Sequence, residues 1–255
     1  MDLQTLMGFV PIPNILESKK VLFIGPHPDD IEIGCGGLVS ELVDLGIRVR
    51  FLIVTDGGAG SLELDNIEKL VQTRKEESQK AGEFLGVESV EVLDFPDGGR
   101  YDVDDMAVEI AKRIIDFHPD TVLCPDPLLE TETHPDHFNA ANATQKALLI
   151  SKFPVAALRH GLELDKNTKM ARGMNLVYYF TSRPNTIVPI SQENFEKKFE
   201  AILLHKSQMS PSFFESMKMY LYFKATTLGQ EVGSKYAEGY FAMAPVHQHC
   251  FLEKI

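Results

Sequence analysis

Two short runs hold the residues best able to do chemistry: Pro26-His27-Pro28-Asp29-Asp30-Ile31-Glu32 and Thr133-His134-Pro135-Asp136-His137. In the first, an imidazole and a carboxylate three positions apart sit in a turn stiffened by prolines, so His27 and Asp30 can reach one cation. Histidine and aspartate are ordinary zinc ligands. A catalytic zinc site needs only three protein ligands, the open position being left to water. Asp29 would then lie beside that water. Taken alone, the run also fits a plain helix start in which His27 and Asp29 cap the backbone, since aspartate is a common N-cap. The second run weighs against that. Two histidines three apart, with Asp136 between them, can supply a third ligand and a separate acid–base or oxyanion group.

These residues are useful only if the elements around them converge. Residues 19–25 form a short β-branched and apolar run ending at Gly25, the pattern of a buried strand. Residues 33–46 carry apolar positions at helical spacing and close on Gly46. Residues 49–58 form a second strand opening into glycines, and 65–85 an amphipathic helix ending at Gly86. A strand at 87–95, a helix at 104–117 and a strand at 121–126 continue the alternation. This pattern predicts an α/β chain with a three-layer αβα Rossmann-like fold and a mostly parallel central sheet. In such sheets ligands bind beyond the carboxyl ends of the strands. Both histidine runs follow predicted strands, so they share one rim. Beyond residue 150 the alternation weakens to a strand at 175–182 and helices at 194–205 and 212–228. No repeat, linker or boundary is visible, and the simplest organisation is one domain over 1–255. Its Rossmann-like core spans residues 19–150, and further strands and helices occupy 151–255.

Composition narrows the partners. The 255 residues hold 25 Lys+Arg against 37 Asp+Glu, a formal charge of −12. Such a surface repels phosphate backbones and anionic lipid, which argues against nucleic acid and membrane partners. No apolar run reaches the ~20 residues that cross a bilayer. The first twenty residues have an acidic start, two prolines and no basic region, unlike a secretory signal. Cys35, Cys124 and Cys250 form no CxxC pair, which fits a reducing cytoplasm. Gly34-Cys35-Gly36-Gly37 matches neither nucleotide-binding glycine pattern, and Cys35 reads as a small packing residue. Asp56-Gly57-Gly58 and Asp97-Gly98-Gly99 fit ordinary glycine turns as well as ligand contacts. His247 and His249 form a pair without an evident third ligand. The aromatics of 213–223 fit a ligand subsite or a subunit interface, with core packing as the default.

With these motifs in hand, the chain resembles the PIG-L/LmbE-like family of zinc-dependent N-acetylglucosaminyl deacetylases. The resemblance rests on residues 26–37 followed by His134-Pro135-Asp136-His137. It extends through 55–60, 73–86, 205–208 and 235–240. It implies His27, Asp30 and His137 as zinc ligands, Asp29 as the general base, and His134 as the group that polarises the amide carbonyl and steadies the oxyanion. It further implies that Asp136 orients a neighbouring histidine and that Arg74 contacts substrate. One Zn2+ per chain follows, although His₂Asp sites also accept iron, cobalt or manganese. The implied substrate is a small N-acetylated amino sugar or glycoconjugate, the products are acetate and free amine, and the implied assembly is a homo-oligomer, hexamers among them. The sequence departs from the family at Ile31-Glu32, where many relatives place an acid directly after the aspartate pair, so Glu32 receives no role. Two rivals remain: the same metal acting on a non-sugar N-acyl substrate, and a Rossmann-like binding module without catalysis.

Overall fold

The parallel alternation expected of the first half is present in the computed structural model, which describes residues 11–62 and 65–249. Strands β1 (Lys20–Gly25), β2 (Arg48–Thr55), β3 (Ser89–Phe95) and β4 (Thr121–Pro125) alternate with helices α1 (Asp30–Asp44), α2 (Ile67–Leu85) and α3 (Val103–Phe117). Helices α4 (Pro135–Lys152) and α5 (Pro154–Arg159) follow, then β5 (Asn175–Tyr179), β6 (Thr186–Ile190), α6 (Gln192–Ile202), α7 (Pro211–Glu231) and β7 (Tyr236–Met243). The seven strands form one sheet in the order β3-β2-β1-β4-β5-β7-β6. Neighbours from β3 to β5 pair in parallel, and only β7 runs against the others.

Period-two burial explains the layers. Val21 and Phe23 of β1 pack into one core, with Leu38 and Leu42 of α1 and Phe195 and Phe199 of α6. Leu22 and Ile24 point the other way, into a second core with Ile110 and Ile114 of α3 and Ala140 and Ala147 of α4. A strand buried on both faces must read as a continuous apolar run, as β1 does. The chain steps outward from β1 to β2 and β3, then returns to β4 on the other side of β1. Loops leaving β1 and β4 therefore part in opposite directions, opening a crevice at their carboxyl ends.

Four elements in particular differ from the sequence expectation. α1 begins at Asp30, three residues earlier than its apolar spacing indicated. α4 was not expected as a helix: its alanines and polar residues are distributed around the helix, so no apolar stripe marks it. Its start is nonetheless local, with Pro135 in the first turn and His134 at the N-cap. β6 and β7 were also missed. β6 is short and contains Pro189, and β7 contains Glu238 and Gly239, residues that strands usually avoid. No described helix is long and apolar enough to cross a membrane.

Candidate active site

The turn after β1 is tight. A Cβ on Gly25 would lie 2.9 Å from Ile31 Cγ1, so a larger residue would push α1 off the strand end. The turn closes on Asp29, whose backbone sits at φ 115°, ψ −25°, a left-handed conformation that costs energy for any residue but glycine. Asp29 occupies the N-cap position of α1 yet makes no side-chain capping bond. Plain helix capping therefore does not account for it, and its carboxylate turns instead to the Arg74 guanidinium. Asp30 Oδ2 accepts the backbone N–H of His27 at 2.9 Å and lies 3.1 Å from His27 Nδ1. The same oxygen lies 3.3 Å from His137 Nε2, delivered by the first turn of α4. His27, Asp30 and His137 each offer a ligand atom within 4.8 Å of the other two, the grouping expected from the sequence.

The far side of the His27 ring meets a second set of acids. His27 Nε2 is 3.2 Å from Asp97 Oδ1 and 3.3 Å from Asp136 Oδ2. Asp136 is fixed in turn by the Gly98 N–H, 2.8 Å from Oδ2, and by the Tyr101 hydroxyl on Oδ1. The histidine that Asp136 contacts is thus His27. Metal-bound histidines usually donate their second ring N–H to a carboxylate, which sets the tautomer. His137 also has a carboxylate beside it, Nδ1 lying 2.9 Å from Glu132 Oε2 without the alignment of a hydrogen bond, while Glu132 Oε1 accepts the backbone N–H groups of Thr133 and His134. His134 Nδ1 accepts the Asp136 backbone N–H at 3.3 Å. In the neutral ring this leaves Nε2 as the donor, on a side chain that is partly open to solvent.

Charge in the site is lopsided. Burial alone would lower the His27 pKa, but bonds to Asp136, Asp30 and Asp97 outweigh it and raise it to about 12. Burial and then repulsion from Asp30 push Asp29 up to about 7, against the attraction of Arg74. Burial also acts to raise Asp136, yet His27, the Gly98 N–H and Tyr101 hold it at about 2. Four carboxylates, Asp30, Asp97, Glu132 and Asp136, lie against the imidazoles of His27 and His137, an excess of negative charge that a divalent cation would neutralise. Nitrogen and oxygen donors in this ratio suit zinc and its first-row neighbours. A second overlapping group, His27, Asp97, His134 and Asp136, also clusters. Its acids already accept bonds from Gly98, Tyr101 and Ala59, so the first group has its donors freer for an ion.

Arg74 is only 4% exposed. Its guanidinium donates to Gly57 O at 2.9 Å and Pro28 O at 2.6 Å, and reaches Asp29 Oδ2 at 3.3 Å. It therefore ties the turn after β1 to the turn after β2 and steadies Asp29 between them. Glu32 turns away from the cation group: buried in α1, it lies 3.2 Å from His205 Nε2. His247 Nδ1 accepts the Ala244 N–H, and among the described residues neither it nor His249 joins a metal-capable cluster. Cys35 is fully buried in the core, as expected.

Asp97, Glu132 and Phe180 belong to the site but were not singled out as functional. Asp97 was visible only as part of a glycine turn, and Glu132 only as one acid in the loop before His134. Phe180 carried no signal, yet it holds a left-handed φ of 52° and stacks on His137 at 6.0 Å. It lines a cleft of about 620 Å³ that runs from Asp30 and His137 to α7 and β7. The aromatics of 213–223 divide between roles: Phe214 is buried and Tyr222 half-buried, whereas Phe213, Tyr220 and Phe223 are exposed, as is Met219 beside them.

Comparison with known proteins agrees with this geometry. Residues 22–148 match the PIG-L family model, described as GlcNAc-PI de-N-acetylase. The chain is 37% identical over 225 residues to the diacetylchitobiose deacetylase of Thermococcus kodakarensis, covering 87% of this chain and 82% of that one. Its fold matches the N,N'-diacetylchitobiose deacetylase of Pyrococcus horikoshii, solved with its inhibitor, at TM-score 0.84 and 30% identity, over 98% of this chain and 90% of the other. A hydratase, GalB of Pseudomonas putida KT2440, shares the fold at TM-score 0.74 but only 21% identity, over 93% of this chain and 99% of that one. Fold alone therefore does not fix the reaction.

Proposed function

From the chain's membership of the PIG-L family of N-deacetylases, we propose that it hydrolyses the acetamide of an N-acetylglucosamine-type sugar or conjugate, releasing acetate and the free amine. The observation that carries this reading is the meeting of His27, Asp30 and His137 around one point, with Asp29 and His134 beside it. A divalent cation held by those three, zinc being our choice, would supply Lewis acidity toward water and the amide carbonyl. Asp29, buried and raised toward neutrality, takes the proton of the attacking water, and Arg74 keeps its carboxylate aimed. His134 presents its Nε2–H to the carbonyl oxygen as negative charge develops there. As the carbon–nitrogen bond breaks, the leaving amine takes the proton that Asp29 drew from the water, which frees the Asp29 carboxylate again, while His134 keeps its Nε2–H on the oxygen. Asp97 and Asp136 hold the His27 ring, and Glu132 holds His137.

The buried thiols Cys35 and Cys124 support a cytoplasmic location. The exposed Met219, Tyr220 and Phe223 of α7 support a homo-oligomer, which light scattering on the purified protein would measure. Because β5, β6 and β7 extend the sheet begun by β1, we read the chain as one domain. An acetate-release screen with zinc-loaded enzyme on N-acetylglucosamine, diacetylchitobiose and further N-acetylglucosaminides tests the activity. Failure on all of them, with turnover of non-sugar N-acyl compounds, would remove the sugar from the assignment.

A further inference from the structure

The cleft has two ends of opposite charge. At the cation group it is lined by Asp30 and Glu132, and at its far end by Lys198, Lys224 and Glu238. The two lysines are not equivalent. Lys198 is buried and spends its charge on Glu238, with Nζ 2.5 Å from Oε1. Glu238 is further engaged by the Tyr240 hydroxyl at 2.6 Å and the Leu38 N–H at 2.8 Å. Lys224, half-buried on α7, makes no hydrogen bond or ion pair with any described residue. Burial and the neighbouring Lys198 both depress its pKa, with Glu238 only partly opposing them. Two lysines thus share the one carboxylate of Glu238; a partly desolvated ammonium so under-compensated is costly, and an anion from outside relieves that cost. The surplus positive charge is local: the chain as a whole carries −12.

We propose that Lys224 forms an anion subsite, and that the preferred substrate is an N-acetylated amino sugar bearing a carboxylate or phosphate substituent. This rests on the deacetylase reading: the acetamide lies at the cation group while the anionic substituent extends toward α7. A cleft of about 620 Å³ falls within the ~300–1,000 Å³ of small-molecule sites and has room for both parts.

The test compares kcat/KM of the zinc-loaded enzyme for neutral substrates, N-acetylglucosamine and diacetylchitobiose, with N-acetylglucosamine 1-phosphate and an N-acetylglucosaminide of a hydroxy acid. The anionic substrates should be preferred. Lys224→Met should cut the anionic-to-neutral ratio by about tenfold or more, the scale of a charge-assisted hydrogen bond, and Lys224→Arg should largely restore it. A ratio untouched by Lys224→Met would overturn the proposal. If no sugar is deacetylated, the activity reading fails separately, and the subsite is then judged by calorimetry with inorganic phosphate and with malate. Binding weakened about tenfold by Lys224→Met keeps the subsite, and unchanged binding removes it. Lys224-dependent binding of the free anions without any preference among substrates would assign the subsite to a free anion and overturn the substrate claim.

Discussion

Asp29 is held between opposing influences, burial and Asp30 raising its pKa and Arg74 lowering it. It adjoins Asp30 but belongs to neither group of side chains that could grip an ion. Asp29→Ala should therefore lose ~10²–10⁴-fold in turnover and still purify with metal, whereas His27→Ala and His137→Ala should lose the metal itself. Elemental analysis of the three variants separates the roles, and metal-free Asp29→Ala would contradict them. Asp136→Asn should loosen zinc ~10–100-fold, because the partner that fixes the His27 tautomer is altered. Competition against a chelating dye measures this, and unaltered affinity would remove that role. The sequence displayed His27, Asp29, Asp30, His134 and His137 because their spacing is itself a signal. Asp97 and Glu132 have no such spacing. They become functional only when a strand end 70 residues from His27, and a loop just ahead of His134, are folded against the imidazoles.

At the scale of elements, the start of α1 stores strain. At φ 115° both aspartate and alanine are misplaced, while glycine is not. Asp29→Gly should accordingly be more stable than Asp29→Ala by about 1 kcal/mol in denaturant titration, although both are inactive. Equal midpoints would mean that the turn relaxes freely. The crossing of α2 over β3 is a different case. A Cβ on Gly82 would meet Val90 Cγ2 at 2.2 Å, so Gly82→Ala should cost ~1–3 kcal/mol by overpacking, read from the same titration. Elements buried on both faces or with one clear apolar stripe, such as β1 and α3, could be read directly from the sequence. α4 could not, because a helix covered on several sides needs no stripe. β7 could not either: Glu238 breaks its apolar pattern, and the buried Lys198, with the Tyr240 hydroxyl and the Leu38 N–H, makes that acid tolerable.

For the molecule as a whole, the acids around His27 and His137 repel one another unless a cation sits among them. Chelation should lower the melting temperature, and added zinc should restore it in a concentration-dependent way, as for any ligand bound by the native state alone. A melting curve indifferent to chelator would argue against the site. The ion-gripping side chains hang from the ends of β1 and β4, while the opposite wall of the cleft comes from α7 and β7, near the other end of the chain. Reagent and selector are thus written in separate stretches of sequence. A graft of the α7–β7 stretch from one relative into another should retailor which molecules are admitted, and leave intact the tool that cuts them.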